Sequence, residues 1–192
     1  MDIFGDLMTQ VGTGEGLTAL SSTVGGDEQK VQSALGLALP MVMGSLAQTA
    51  ARPGGADQLT SMIGQMGGGV AADSPASYLA ATSAAPGGTD IVGSILGSQM
   101  GTIQNAIAQK TGLPPAVVGT LLAVVTPMIL GAVKNRFPDK QMDPGSLSTL
   151  LGDEAKTAMQ SSPDAAALAS QYLEAKPETS GIMGSLKKIL GM

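Results

Sequence analysis

The groups in this chain that could do chemistry are its acids and its hydroxyls. It has no histidine and no cysteine, which removes the commonest general base at neutral pH, the thiolate nucleophile and the usual zinc ligands. Its closest acid pairs, Asp27-Glu28 and Asp153-Glu154, are adjacent in sequence. That spacing suits the charge-favoured start of a helix. Two-carboxylate hydrolysis would need acids brought together from distant elements. Serine and threonine are plentiful, yet no Gly-x-Ser-x-Gly nucleophile elbow occurs. Gly12-Thr13-Gly14-Glu15-Gly16 has the composition of a phosphate cradle but neither the preceding apolar strand nor the Lys-Ser/Thr that completes one, so it is read as a flexible linker. No enzyme, cofactor or metal site is expected.

The elements that would hold such groups are helices. Strands draw on β-branched and aromatic residues, and the aromatics here are Phe4, Tyr78, Phe137 and Tyr172, while Ala, Leu, Met and Gln fill the apolar segments. The composition therefore predicts an all-α protein whose helices pack through small residues, consistent with 27 glycines. The ten basic residues are scattered within a net charge of −5. That leaves no stripe to displace counterions and few rings for base stacking, so nucleic acid is excluded as a partner.

An internal repeat is the clearest organisational signal. At an offset of 87, Gly25 matches Gly112, Val31 Val118, Leu35 Leu122, Pro40 Pro127, Met41 Met128 and Gly44 Gly131. After a one-residue slip, Leu59, Met62, Ile63 and Gly64 face Leu147, Leu150, Leu151 and Gly152. The pattern predicts two pseudo-repeated helical units packed together about an approximate twofold axis. Small residues four apart, Gly36, Pro40 and Gly44 in one unit and Ala123, Pro127 and Gly131 in the other, are the candidate seam where backbones approach closely. In the second unit Thr126 can cap a helix opening at Pro127; in the first, Leu39 cannot cap, and a kinked continuous helix is an equal alternative.

This gives an N-terminal amphipathic arm and Gly-rich linker (1–16) and a helical domain (17–152). That domain divides into repeat one (17–64), a linker (65–89) with one helix starting at Ser74-Pro75, and repeat two (90–152), in which Asp90 opens a short apolar helix. Short C-terminal helices (153–176) follow, then a linker and amphipathic tail helix (177–192). Helix starts are predicted at Asp143-Pro144, Asp153 and Ser162-Pro163. The tail sets Ile182, Met183, Leu186, Ile189 and Leu190 on one face and Lys187 with Lys188 on the other, a face for docking or for a membrane surface. Residues 113–133 lack any charge and are long enough to span a bilayer. Pro114, Pro115 and Pro127, with the shorter apolar stretch of the first unit, favour a buried core helix instead. Asp2 and Asp6 stand where a signal peptide places positive charge, so a cytoplasmic chain is expected, with a peripheral membrane position as the variant.

Several stretches together look like one bacterial family. They are the helix end at Ile107-Ala108-Gln109-Lys110-Thr111-Gly112, the run Thr126-Pro127-Met128-Ile129-Leu130-Gly131-Ala132, its counterpart Leu39-Pro40-Met41-Val42-Met43-Gly44, the Arg52-Pro53-Gly54-Gly55 turn and Ile91-Val92-Gly93-Ser94-Ile95-Leu96-Gly97. From about residue 16 to 152 the chain resembles the DUF937 family, which includes the YidB-like proteins. The resemblance implies a bacterial source and an all-helical fold, and brings no catalytic or ligand-binding residues.

The functional expectation is a non-catalytic, self-associating helical protein, a scaffold or building block of a homo-assembly, whose amphipathic ends (3–11 and 182–190) leave apolar surface for another copy. Two alternatives stand beside it. One is a peripheral membrane protein anchored by the tail. The other is a binding module for an apolar ligand or peptide, using a groove around Met41, Met43 and Met128.

Overall fold

The computed structural model describes residues 3–65, 100–137 and 143–172, together with 93 and 95–97. Among these there are eight main helices and no strand: α1 (Ile3–Val11), α2 (Gly14–Val24), α3 (Glu28–Ala50), α4 (Gly55–Gln65), α5 (Met100–Thr111), α6 (Pro115–Asn135), α7 (Pro144–Ser161) and α8 (Pro163–Tyr172). The helix expected at Ser74-Pro75 and the tail helix lie outside the described residues. Of the helix expected from Asp90, Gly93, Ile95 and Leu96 are helical, and Ile95 and Leu96 are buried.

α3 is the axis of the fold and touches every other helix. Its boundaries follow from local chemistry. Asp27 accepts from the N–H groups of Gln29 (3.1 Å) and Lys30 (3.2 Å) and so caps the helix, while Gly25 at φ 73° ends α2 in a left-handed turn. The burial of Val31, Leu35, Leu39, Met41, Val42, Met43 and Leu46 places apolar side chains around the whole circumference of α3, as a helix surrounded by neighbours requires. α6 is similar, with Val118 through Val133 largely enclosed. Both are long and apolar enough to cross a membrane by length and composition. In the folded chain, 72% and 67% of their most apolar windows are buried inside the body.

The order helix, left-handed glycine, long helix with an internal proline, further helix occurs twice. Gly112 (φ 70°) mirrors Gly25, α6 begins 87 residues after α3, and Pro127 sits where Pro40 does. The packing is lopsided, however. α7 runs along α3, whereas α4, its counterpart by offset, only touches α6.

Three readings of local sequence change. Residues 12–16 are not a slack linker: α2 starts at Gly14, and a Cβ on Gly16 would overlap the Gln10 carbonyl oxygen and lie 2.9 Å from Val11 Cα. α1 is therefore clamped directly against α2, with Ile3, Leu7 and Val11 in the core, rather than standing off as an arm. No helix starts at Asp153, because α7 passes through it without a break; the starts at Asp143-Pro144 and Ser162-Pro163 are present. Thr126 does not cap a new helix. α6 is continuous through Pro127, and the Thr126 hydroxyl donates to the Leu122 carbonyl at 2.8 Å.

Candidate functional site

The structure places the seam residues at different depths, and Gly36 makes no close approach. Pro40, Pro127 and Gly131 are buried, but Gly36, Gly44 and Ala123 are half-exposed, and a Cβ added to Gly36 would meet nothing within 4 Å. Close approach is found instead at Gly16, at Gly55, where a Cβ would overlap the Thr49 carbonyl oxygen, and at Gly119, where it would overlap the Gln104 side-chain amide.

Gly36 contributes something else. Proline at position 40 has no N–H to give the carbonyl four residues earlier, so the Gly36 oxygen loses its helical donor. The Ser162 hydroxyl, at the junction of α7 and α8, donates to that oxygen at 3.1 Å. Pro40 thus creates an acceptor on the side of the central helix, and α8 is fixed there by supplying its donor. Replacing Ser162 with alanine should cost about 1–2 kcal/mol. In a Pro40→Ala background, where the residue 40 N–H is restored, the same change should cost less than about 0.5 kcal/mol. Urea unfolding of the four proteins in this cycle measures the difference, and equal costs in both backgrounds would refute the link.

The acids are placed by structure rather than by reactivity. Glu154, 7% exposed, accepts the Ile3 N–H through Oε2 at 2.7 Å. It therefore opens no helix of its own, contrary to expectation, and stands instead at the N-terminus of α1. Its carboxylate meets an otherwise unsatisfied donor and the positive end of the α1 dipole. Nearby, Asp6 of α1 pairs with Arg136 at 3.2 Å, and Lys110 pairs with Asp164 at 3.1 Å. Both pairs are solvent-accessible and worth at most about 1 kcal/mol each.

Asp143 and Asp153 flank a shallow, open depression along the outer face of α7 with Ser146, Thr149 and Leu150 between them. Ten residues of helix separate the two acids by about 15 Å, beyond the roughly 5–9.5 Å over which paired carboxylates share a hydrolytic step. Asp143 is also engaged as the α7 cap, accepting from the Ser146 N–H at 2.9 Å. Among the described residues no three metal-ligating side chains cluster.

The hydroxyls are similarly committed. Thr9, Thr18, Ser45, Thr49, Thr120 and Thr126 each donate to the carbonyl four residues back, an arrangement that lets helices carry many such residues. A nucleophile instead needs a base to take its proton. Among the described residues Ser21 is the buried hydroxyl that is left over: its Oγ has no hydrogen-bond partner. Ser21→Ala should therefore raise stability by about 1 kcal/mol, read as a higher denaturant midpoint at unchanged m-value. Met41, Met43 and Met128 are fully enclosed at 0% exposure, so these side chains do not line an open groove.

The helical body is built around two long proline-containing helices, and residues 6–136 match the model of a bacterial protein family of unknown function, DUF937. The chain belongs to the DUF937 family. No curated protein and no solved structure matches it. The DUF937 match stops at the end of α6, yet α7 and α8 beyond it cover α3 and bury Leu147, Leu151, Ala158 and Leu168. Sequence reading missed Glu154, Ser162, Gly16 and Gly55. The Pro40 signal could have pointed to the Gly36 carbonyl that Ser162 serves, because an interior proline frees the carbonyl four residues before it.

Proposed function

We propose that this DUF937 member is a non-catalytic, self-associating helical protein, a building block of a homo-assembly. The observation that carries the reading is the character of the described surface. Its exposed positions are polar side chains, glycine, proline and alanine, with neutral hydroxyl or amide residues such as Thr9, Thr18, Ser22, Thr102, Asn105 and Thr120 along α1, α2, α5 and α6. Charged side chains of both signs, among them Glu15, Lys30, Arg52, Lys110 and Asp164, are interspersed with these, and over the whole chain charged residues are only 13%, so repulsion between copies stays modest. Light scattering of the purified chain across a wide concentration range should give masses above that of a single 19.1 kDa chain. A clean monomer throughout would overturn the proposal.

A second reading is favoured by where the apolar ends go. With Ile3, Leu7 and Val11 consumed by the core, the amphipathic face left for a membrane surface is the sequence face of Ile182, Met183, Leu186, Ile189 and Leu190, flanked by Lys187 and Lys188, which lies outside the described residues. Anionic liposomes should then co-sediment the full chain and not a chain ending at residue 176; equal, negligible binding by both would end this reading.

A further inference from the structure

We infer that the second core helix, α6, is a hinge that opens locally at Thr126-Pro127, while its repeat counterpart α3 is held shut at Pro40. This goes beyond the self-association reading and does not depend on it. The difference lies in how the two helices meet the same defect.

Each long helix has an interior proline, Pro40 in α3 and Pro127 in α6. Each proline leaves the carbonyl four residues earlier without its helical donor. In α3 that carbonyl belongs to Gly36, and the Ser162 hydroxyl donates to it at 3.1 Å. Ser162 stands at the junction of α7 and α8, both of which pack on α3. The defect in α3 is therefore closed by a side chain from the body of the fold.

In α6 the corresponding carbonyl belongs to Ala123, a half-exposed residue. Among the described residues no side chain serves it as Ser162 serves Gly36. Solvent is left as its donor, and a bond to water is made and released freely. The residue before the proline adds to the difference. Leu39 has no hydroxyl, whereas the Thr126 hydroxyl donates to the Leu122 carbonyl at 2.8 Å, a contact that bends and slightly weakens helices. Two successive carbonyls of α6, at 122 and 123, thus carry altered bonding, where α3 has one that is mended.

Opening at this point lets the stretch Met128 to Asn135 move against the rest of α6. Its far end is tied through Arg136 to Asp6 of α1 at 3.2 Å, and both side chains of that pair are accessible. α1 is itself fixed to α7 by the buried bond from the Ile3 N–H to Glu154. The exposed pair, weak by its setting, is the tie that yields as the hinge opens.

Hydrogen–deuterium exchange of the full chain, read by mass spectrometry over segments 34–44 and 121–131 and corrected for intrinsic rates, tests this. The hinge predicts exchange about tenfold faster in 121–131 than in 34–44, the factor set by the net worth of one hydrogen bond. Ser162→Ala should speed 34–44 by about tenfold and leave 121–131 unchanged. Pro127→Ala, which restores an N–H for the Ala123 oxygen, should slow 121–131 by a similar factor. Asp6→Asn should speed 128–135 by up to about fivefold; an unchanged rate there would refute the role of the pair. Equal protection of the two segments in the wild-type chain, or a Ser162→Ala chain with 34–44 unaffected, would overturn the hinge. Circular dichroism checks each variant for folding, and if Pro127→Ala does not fold, the wild-type and Ser162→Ala comparisons decide. A clean monomer in light scattering of the same wild-type sample would remove self-association and leave the hinge standing.

Discussion

Alanine at Gly16 or Gly55 should destabilise the fold by about 3 kcal/mol or more, the upper end of overpacking penalties. At Gly55 the new Cβ would overlap the Thr49 carbonyl oxygen and lie 2.9 Å from its carbon; at Gly16 it would overlap the Gln10 carbonyl oxygen. In both cases the obstacle is backbone, which cannot rotate away as the end of a side chain can. Relief would require separating α3 from α4, or α1 from α2, and with them the buried Leu59 and Leu7. Gly36→Ala is the informative opposite. Its Cβ would enter open space inside α3, where alanine is favoured over glycine by up to about 1 kcal/mol, so stability should rise. Thermal unfolding of the three variants orders them, and a destabilised Gly36→Ala together with neutral changes at Gly16 and Gly55 would reverse this account of where the helices meet.

A chain ended after residue 142 should fail to unfold cooperatively, although it contains all of the family-matched segment. It would lose Leu147, Leu151 and Leu168 from the core, worth about 5–9 kcal/mol together at the usual 1.5–3 kcal/mol for each buried side chain. That is comparable with the entire margin of about 5–15 kcal/mol that holds an ordinary domain. It would also uncover the side of α3 and strand the Gly36 carbonyl without its Ser162 donor. Denaturant titration followed by circular dichroism decides it. A sharp transition with the midpoint of the full chain would mean that α7 and α8 are accessory.

Much of the helical plan was legible because its signals are local. Asp27 before the α3 run, Asp143-Pro144 and Ser162-Pro163 announce their helices through capping and proline chemistry that needs no tertiary contact. The shorter apolar stretch around Pro40 favours a buried α6 over a membrane span, and 67% of the most apolar window of α6 is buried inside the body. What escaped was set by atoms far away in sequence. Glycine at 12–16 reads as a break when alone, and only the Gln10 carbonyl lying against Gly16 turns it into a clamp. Small residues spaced by four at Gly36, Pro40 and Gly44 place a stripe on α3, but periodicity says nothing about what lies opposite. At Gly36 the answer is a hydroxyl reaching a carbonyl rather than a second backbone. Asp153-Glu154 carries the composition of a helix start, and it took the fold to show that Glu154 serves the start of a different helix.

That last contact sets an order of events during synthesis. α1 leaves the ribosome long before its partner, because the carboxylate that completes its first turn lies 151 residues further along. At about 5–20 residues per second, α1 waits on the order of 10–30 seconds for Glu154 to be made, with Ile3, Leu7 and Val11 lacking the core they will enter. The nascent chain therefore passes through a long interval in which α1 is finished in sequence and unfinished in structure, and a holding factor or a neighbouring nascent copy has that interval in which to act on it.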